Sequence, residues 1–260
     1  MPGLQVRIDQ AVGTIVVSHP DKHNAMTLDM WRALPQRIGE LDDDPRVRVI
    51  VIEGDGGKAF ISGSDVSQFE SERGDPQAQQ RYNGAVEAAH LAPPAAGKPV
   101  IAKIRGICYG GGVGVAAVCD LRLCADDARF RIPAARLGLG YPSAAIARLL
   151  PLLGPANMLD VLYSARTFGA AEALAMGLVG KVWPADRFDA EAAQWLALVA
   201  ENAPLTLRAI KRTTMELLQR PGEPPSAEVT AAIDACFASS DYREGTRAFA
   251  ERRKPDFKGR

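Results

Sequence analysis

The chain has three histidines, His19, His23 and His90, and four cysteines, Cys108, Cys119, Cys124 and Cys236. The cysteines show no C-x-x-C spacing and no nearby histidine pair, which argues against a zinc site and is expected of free thiols in a reducing compartment. Charge of one sign is also lacking. Lys plus Arg and Asp plus Glu are 31 each, so no field builds up to draw nucleic acid or an anionic membrane. No apolar run approaches the ~20 residues that span a bilayer. The N-terminal stretch has no basic segment followed by an apolar one, so no secretory signal is expected. A soluble, cytoplasmic protein follows as the expectation.

What is present fits one large globule. The 260 residues are 47% hydrophobic and 24% charged, enough to bury a substantial core. Residues 4–9 and 13–18 read as a hairpin. Thr27 caps an amphipathic helix to about residue 41, in which Pro35 is expected to produce a kink or a later start. Residues 47–52, Val-Arg-Val-Ile-Val-Ile, form the strongest strand pattern. Residues 67–80 are polar and weakly patterned and read as a mobile surface stretch, followed by a helix over 81–91. Further strands are expected at 99–104, 120–124, 129–132 and 179–182. Helices dominate from 142 onward, including 204–218, 227–239 and 241–253. This order predicts an α/β core with a helical C-terminal unit.

Two glycine-bearing turns stand out, Gly106-Ile-Cys-Tyr-Gly-Gly-Gly-Val-Gly114 and Phe60-Ile-Ser-Gly-Ser-Asp65. Each follows a strand pattern and leads toward a helix. Without a Cβ in the way, a backbone N–H can approach a ligand closely. Two such groups converging on one point would hold a developing oxyanion. The pair points to a site that polarises a carbonyl.

These turns belong to a longer set of landmarks: residues 19–26 (His-Pro-Asp-Lys-His-Asn-Ala-Met), 58–65, 98–106, the triple glycine, Cys119-Asp120, 136–140 (Arg-Leu-Gly-Leu-Gly), 168–178 and 248–257. In this order, across nearly the whole chain, they resemble the crotonase, or enoyl-CoA hydratase/isomerase, superfamily. The resemblance implies a spiral of ββα turns in two sheets over residues 1–200, carrying the acyl-CoA pocket. It implies a helical C-terminal region over 201–260 that assembles a homo-trimer, often paired as a hexamer. The implied ligand is an acyl-CoA thioester, with coenzyme A entering as part of the substrate and no separate cofactor. The two oxyanion-hole amides fall on Ser64 and Gly111. Lys22, Ala25 and Met26 are implied in holding the coenzyme, and Lys254 and Phe257 in reaching a neighbouring subunit's ligand.

At two positions the chain departs from that pattern. Hydratases of the superfamily place one glutamate three residues after the second amide and another just after a proline downstream. Here those positions are Gly114 and Ala134. Neither can transfer a proton, and each such group supplies roughly 10²–10⁴-fold in rate. Efficient hydration is therefore not expected, nor is double-bond migration by a carboxylate at 134. Three readings stay open. One is an acyl-CoA enzyme whose proton-transfer group has moved, Glu87 and His90 sharing a helix face as candidates. A second is a malonyl-type decarboxylase in which Tyr141 donates a hydrogen bond or a proton. The third is a non-catalytic acyl-CoA binding protein. Asp65 is expected to orient its loop and Asp120 to bond backbone. A dehalogenase would need an aspartate where Pro142 stands, and that reading is set aside.

Overall fold

A computed structural model describes residues 2–68 and 75–260. The hairpin is present as β1 (Gly3–Asp9) and β2 (Val12–Ser18), paired antiparallel. Next come α1 (Leu28–Asp43), β3 (Val49–Gly54), β4 (Ala59–Ile61), α2 (Pro76–Ala95), β5 (Val100–Ile104), β6 (Ile107–Tyr109) and α3 (Gly111–Val118). The chain continues through β7 (Leu121–Ala125), β8 (Arg129–Arg131), α4 (Ser143–Ser164), β9 (Phe168–Gly169), α5 (Ala170–Ala175) and β10 (Lys181–Trp183). Helices α6 (Phe188–Ala200), α7 (Pro204–Gln219), α8 (Ala227–Ala238) and α9 (Ser240–Glu251) complete it.

Two sheets result, one in the order β1-β2-β3-β5-β7-β10 and the other β4-β6-β8-β9. From β2 to β10 the first sheet is parallel, with Ile50 opposite Val100 and Ile101 opposite Leu121. A central parallel strand is covered on both faces, which is why β3 is continuously apolar and buried over 49–52. Alternate residues serve different layers. Ile50, Ile52, Val100, Ala102 and Ile104 join the larger core with Trp31, Phe60 and Phe130. Val49, Val51, Ile101 and Leu123 turn the other way, onto Phe188, Ala192 and Leu196 of α6.

The structure departs from the sequence reading in four places. Helix α1 neither restarts nor ends at Pro35, because Met30, Trp31, Leu34, Ile38 and Leu41 bury one continuous face around it. Helix α2 begins at Pro76, not near 81, where the Asp75 carboxylate accepts from the amides of Gln77 and Ala78. It also runs on through Pro93 and Pro94. The expected polar stretch therefore shortens; residues 69–74 of it lie outside the described residues. Finally, α4 is a long apolar segment of 22 residues, although left-handed backbone at Gly154 (φ 68°, ψ 165°) breaks it.

The C-terminal helices are fastened to the core by a buried ion pair. Lys211 of α7 donates to the Asp120 carboxylate at 2.8 Å and to the carbonyls of Pro93 and Lys98. Asp120 in turn accepts from the Val100 amide at 2.7 Å, the backbone role expected of it. Removing one partner of such a pair strands a buried charge, so Lys211→Met should cost about 3–5 kcal/mol. The measurement is urea unfolding, and Asp120→Asn combined with Lys211→Met should recover much of the loss.

Candidate active site

The segment over 19–26 is shaped by Asn24, whose buried amide donates to the carbonyls of Asp55 and Ala59 while its backbone adopts φ 58°. Met26 then pairs with the first glycine turn: its N–H donates to the Gly63 carbonyl at 2.8 Å and its carbonyl accepts from the Asp65 amide at 2.9 Å. Ser62 donates from its amide to His23 and from its hydroxyl to the Lys22 carbonyl. Ser62, Gly63 and Asp65 of the turn are thereby laced to one segment.

The second turn is anchored by the Gly110 amide, which donates to the Arg131 carbonyl of β8 at 2.8 Å. Gly63 (φ 114°) and Gly110 (φ 50°, ψ −113°) hold backbone shapes that side-chain-bearing residues avoid. The two turns meet. A Cβ built on Gly63 would stand 3.7 Å from the Gly111 nitrogen, and one on Gly111 would stand 3.8 Å from the Gly63 Cα. Behind Gly111 lies the Trp31 ring, 3.0 Å from that same point. The amides of Ser64 and Gly111 have no intramolecular acceptor among the described residues. Gly111 opens α3, and its N–H carries the favourable end of that helix's dipole.

The other expected residues fall at different distances from this junction. Lys22 Nζ donates to both oxygens of Asp65 and to the Ser67 hydroxyl, so its charge is held at the first turn. The side chains of Ala25 and Met26 are buried, and the Ala25 carbonyl receives the His19 ring nitrogen. Lys254 lies exposed beside Glu201, and the Phe257 carbonyl accepts from Arg48. Both belong to a tail that Asp241 grips through the amides of Lys258 and Gly259. Ala134 is a buried core methyl. Tyr141 is partly buried against the same core, and burial pushes its phenol up to about 12, partly offset by the Arg148 charge. The phenol therefore keeps its proton near neutrality. Gly114 leaves space, and His90 of α2 fills it: the point where a Gly114 Cβ would stand is 2.7 Å from His90 Nε2.

The His90 ring is buried, packs edge-on to Trp31 at 5.7 Å between centroids, and its Nε2 has no hydrogen-bond partner among the described residues. Such a group ordinarily costs about 1–3 kcal/mol. Burial, reinforced by the Arg148 charge, holds the imidazole down to about 4, with Glu87 and the Gly111 backbone acting the opposite way. Arg148 of α4 is itself paired with Glu87. The residue spacing showed that Glu87 and His90 share a face; which of them meets Gly114 depends on the packing of α2 against α3.

A mixed α/β spiral of two sheets, paired glycine turns and appended helices defines a class of protein. The family model described as enoyl-CoA hydratase/isomerase matches residues 7–260, and the chain belongs to that family. The chain is 29% identical to the crotonyl-CoA hydratase of Syntrophomonas wolfei, with 96% of this chain and 95% of that protein covered. With the peroxisomal Delta(3,5)-Delta(2,4)-dienoyl-CoA isomerase of Arabidopsis thaliana it shares 31% identity, covering 96% and 93%. The crystal structure of an enoyl-CoA hydratase/carnithine racemase from Magnetospirillum magneticum superposes with a TM-score of 0.93 at 33% identity, covering 100% and 97%. The crotonase fold inferred from the landmarks is thus the fold observed.

Asp65 is the electrostatic pin of the first turn. Burial alone would raise its carboxyl, but bonds from Lys22 and Ser67 outweigh it and hold the group below its ordinary value. The stabilisation is whole above the unfolded value of about 3.9 and disappears as pH falls through the depressed folded one. Asp65→Asn should therefore cost about 1–2 kcal/mol at pH 7. In thermal melts the gap between variant and parent should close on acidification through that window.

Proposed function

We propose that this chain is an acyl-CoA enzyme that holds a thioester carbonyl oxygen between the amides of Ser64 and Gly111 and stabilises the enolate formed from it. The observation that carries this reading is the meeting of the two glycine turns, Gly63 against Gly111, with the amides of Ser64 and Gly111 left without internal acceptors among the described residues. One such donor is typically worth about 3 kcal/mol in the transition state. Lys22, Ala25 and Met26 line the coenzyme side through backbone atoms and the Lys22 charge. Lys254 and Phe257 serve a neighbouring copy's ligand. That role fits an assembly into homo-trimers or hexamers through the C-terminal helices, where Ile210, Phe237 and Phe249 stay exposed around a cavity of about 780 Å³.

Hydration needs one group to activate water and another to protonate the α-carbon. With Gly114 and Ala134 at the two expected positions, the site has neither in place. Chemistry confined to the enolate does not need that pair. A second reading, loss of CO2 from a malonyl-type thioester, is favoured by one observation: Tyr141 keeps a protonated phenol beside the core and can act as a donor.

Crotonyl-CoA should lose its conjugated absorbance with this protein at least about 100-fold more slowly than with a two-carboxylate hydratase. A hydratase-like rate would overturn the reading of residues 114 and 134. Malonyl-CoA and methylmalonyl-CoA, assayed for CO2 release with the parent and Tyr141→Phe, decide the second reading. Equal release from both forms, or none, removes Tyr141 from the chemistry.

A further inference from the structure

We propose that His90 is the base of this site, taking a proton from the acyl carbon next to the thioester and returning it, in place of a carboxylate at position 114. The inference rests on the reading of Ser64 and Gly111 as the oxyanion amides. It is carried by where the ring sits. Nε2 stands 2.7 Å from the point a Gly114 side chain would first occupy, and Cε1 stands 3.1 Å from it. Any side chain at 114 would displace the imidazole. Gly114 lies one turn along α3 from Gly111, and Gly111 itself borders the ring. For His90 to act, a thioester oxygen held at the Gly111 amide must place its α-carbon on the side of α3 that His90 covers.

The ring is chemically suited to accept a proton. Its Nε2 is buried and bonded to nothing among the described residues. With the proton on Nδ1, that nitrogen presents a lone pair that nothing else engages. Glu87 on the same helix and Arg148 on α4 are the charged groups acting on the ring, and they pair with each other. Tyr141 stands under the same Arg148 charge. Helix α1 contributes Trp31, and α3 contributes only glycine and aliphatic residues. The imidazole is neutral above its depressed value and so starts the cycle as a base.

The step balances without a co-reactant. The α C–H bond breaks and its proton bonds to Nε2. The electron pair enters the bond between the α-carbon and the carbonyl carbon, and the carbonyl π pair moves onto the oxygen between the two amides. With a β,γ-unsaturated thioester, the imidazolium then delivers a proton from Nε2 to the γ-carbon, either the one it took or one that has exchanged with solvent. The double bond comes to lie between the α- and β-carbons, and Nε2 is free again. Delivery back to the α-carbon restores the substrate. The ligand class is an acyl-CoA thioester bearing a removable α-hydrogen, and the net reaction is a one-base migration of a double bond.

The experiment follows solvent deuterium into the α-position of butyryl-CoA by mass spectrometry, with binding of the same thioester measured by calorimetry. Conversion of 3-hexenoyl-CoA to its conjugated isomer is recorded in parallel. The parent is compared with His90→Gln and with His90→Phe, which keeps a ring in the space over Gly114 but no lone pair. Both variants should bind butyryl-CoA within about threefold of the parent and lose exchange and isomerisation by about 100-fold or more. Parent exchange should fall on acidification as the imidazole is protonated, and residual exchange in the variants should not. Parent-like exchange in both variants would overturn the role of His90 while leaving the oxyanion amides standing. Thioester binding without exchange in any form would overturn it as well. If the parent fails to bind butyryl-CoA, the reading of the thioester site itself is wrong and the role of His90 goes with it.

Discussion

The site depends on two stretches of backbone coming closer than side chains would allow. A Cβ on Gly63 or Gly111 would find the other residue at ordinary van der Waals distance, but the next glycine admits none: a Cβ on Gly112 would stand 2.1 Å from the Ile61 carbonyl oxygen. Helix α3 is thus pressed onto β4 along its first turn. The start of α3 and the end of β4 become one surface rather than two neighbouring ones. Bonds made elsewhere maintain that approach. The Gly110 amide is tied to β8, and the first turn is laced to Met26 and pinned by Asp65. Catalytic amides of this kind are worth most when they do not reorganise during reaction. A junction held from both sides by main-chain bonds meets that requirement, so its shape depends little on the side chains at 114 and 134.

That insensitivity explains how the fold can outlast its proton-transfer residues. The amides belong to residues 64 and 111, and neither depends on what stands at 114 or 134. Ala134 has become part of the hydrophobic core, and Gly114 has become the floor beneath an imidazole from another helix. The two replacements are different in kind. A methyl in the core ends any chemistry at its position. A glycine beneath a buried nitrogen with no bond among the described residues leaves room for the chemistry to pass from α3 to α2, as proposed for His90. Trp31 contributes to both halves, backing Gly111 on one side and bordering His90 on the other.

Much of this was legible in the residues. Residues 47–52 were the strongest strand pattern in the chain, and the glycine turns pointed to a backbone-built site before any fold was known. The landmark order carried the architecture. What could not be read was whatever tertiary packing decides. Pro35 reads as a kink or a later helix start; the later start is not what forms, because the buried face of α1 begins at Leu28 and runs through Pro35. The start of α2 was hidden because Gln77, Gln79 and Gln80 face solvent and blur the periodicity, although Asp75 was a cap signal in plain view. Strand β9 is two residues long and leaves no pattern at all. Position 90 was recognisable as sharing a face with Glu87. Its approach to Gly114 joins residues from different helices, and no local rule encodes that.

A site with one base restricts what the enolate can become. Water addition requires a second titratable group on the far side of the double bond, and the position where the superfamily keeps it is here a methyl in the core. A single imidazole can only return a proton, to the same carbon or to one two bonds away. Loss of CO2 escapes even that demand, since the departing carboxylate leaves its own electron pair behind, and then a donor such as the Tyr141 phenol matters more than a base. The division between these outcomes lies in the protonation states of His90 and Tyr141. Burial drives both to their neutral forms, which makes one a proton acceptor and the other a donor. In the proposed chemistry, these two neutral groups, both under the charge of Arg148, would leave the enolate oxygen as the principal negative charge. The amides of Ser64 and Gly111 are the groups proposed to receive that charge.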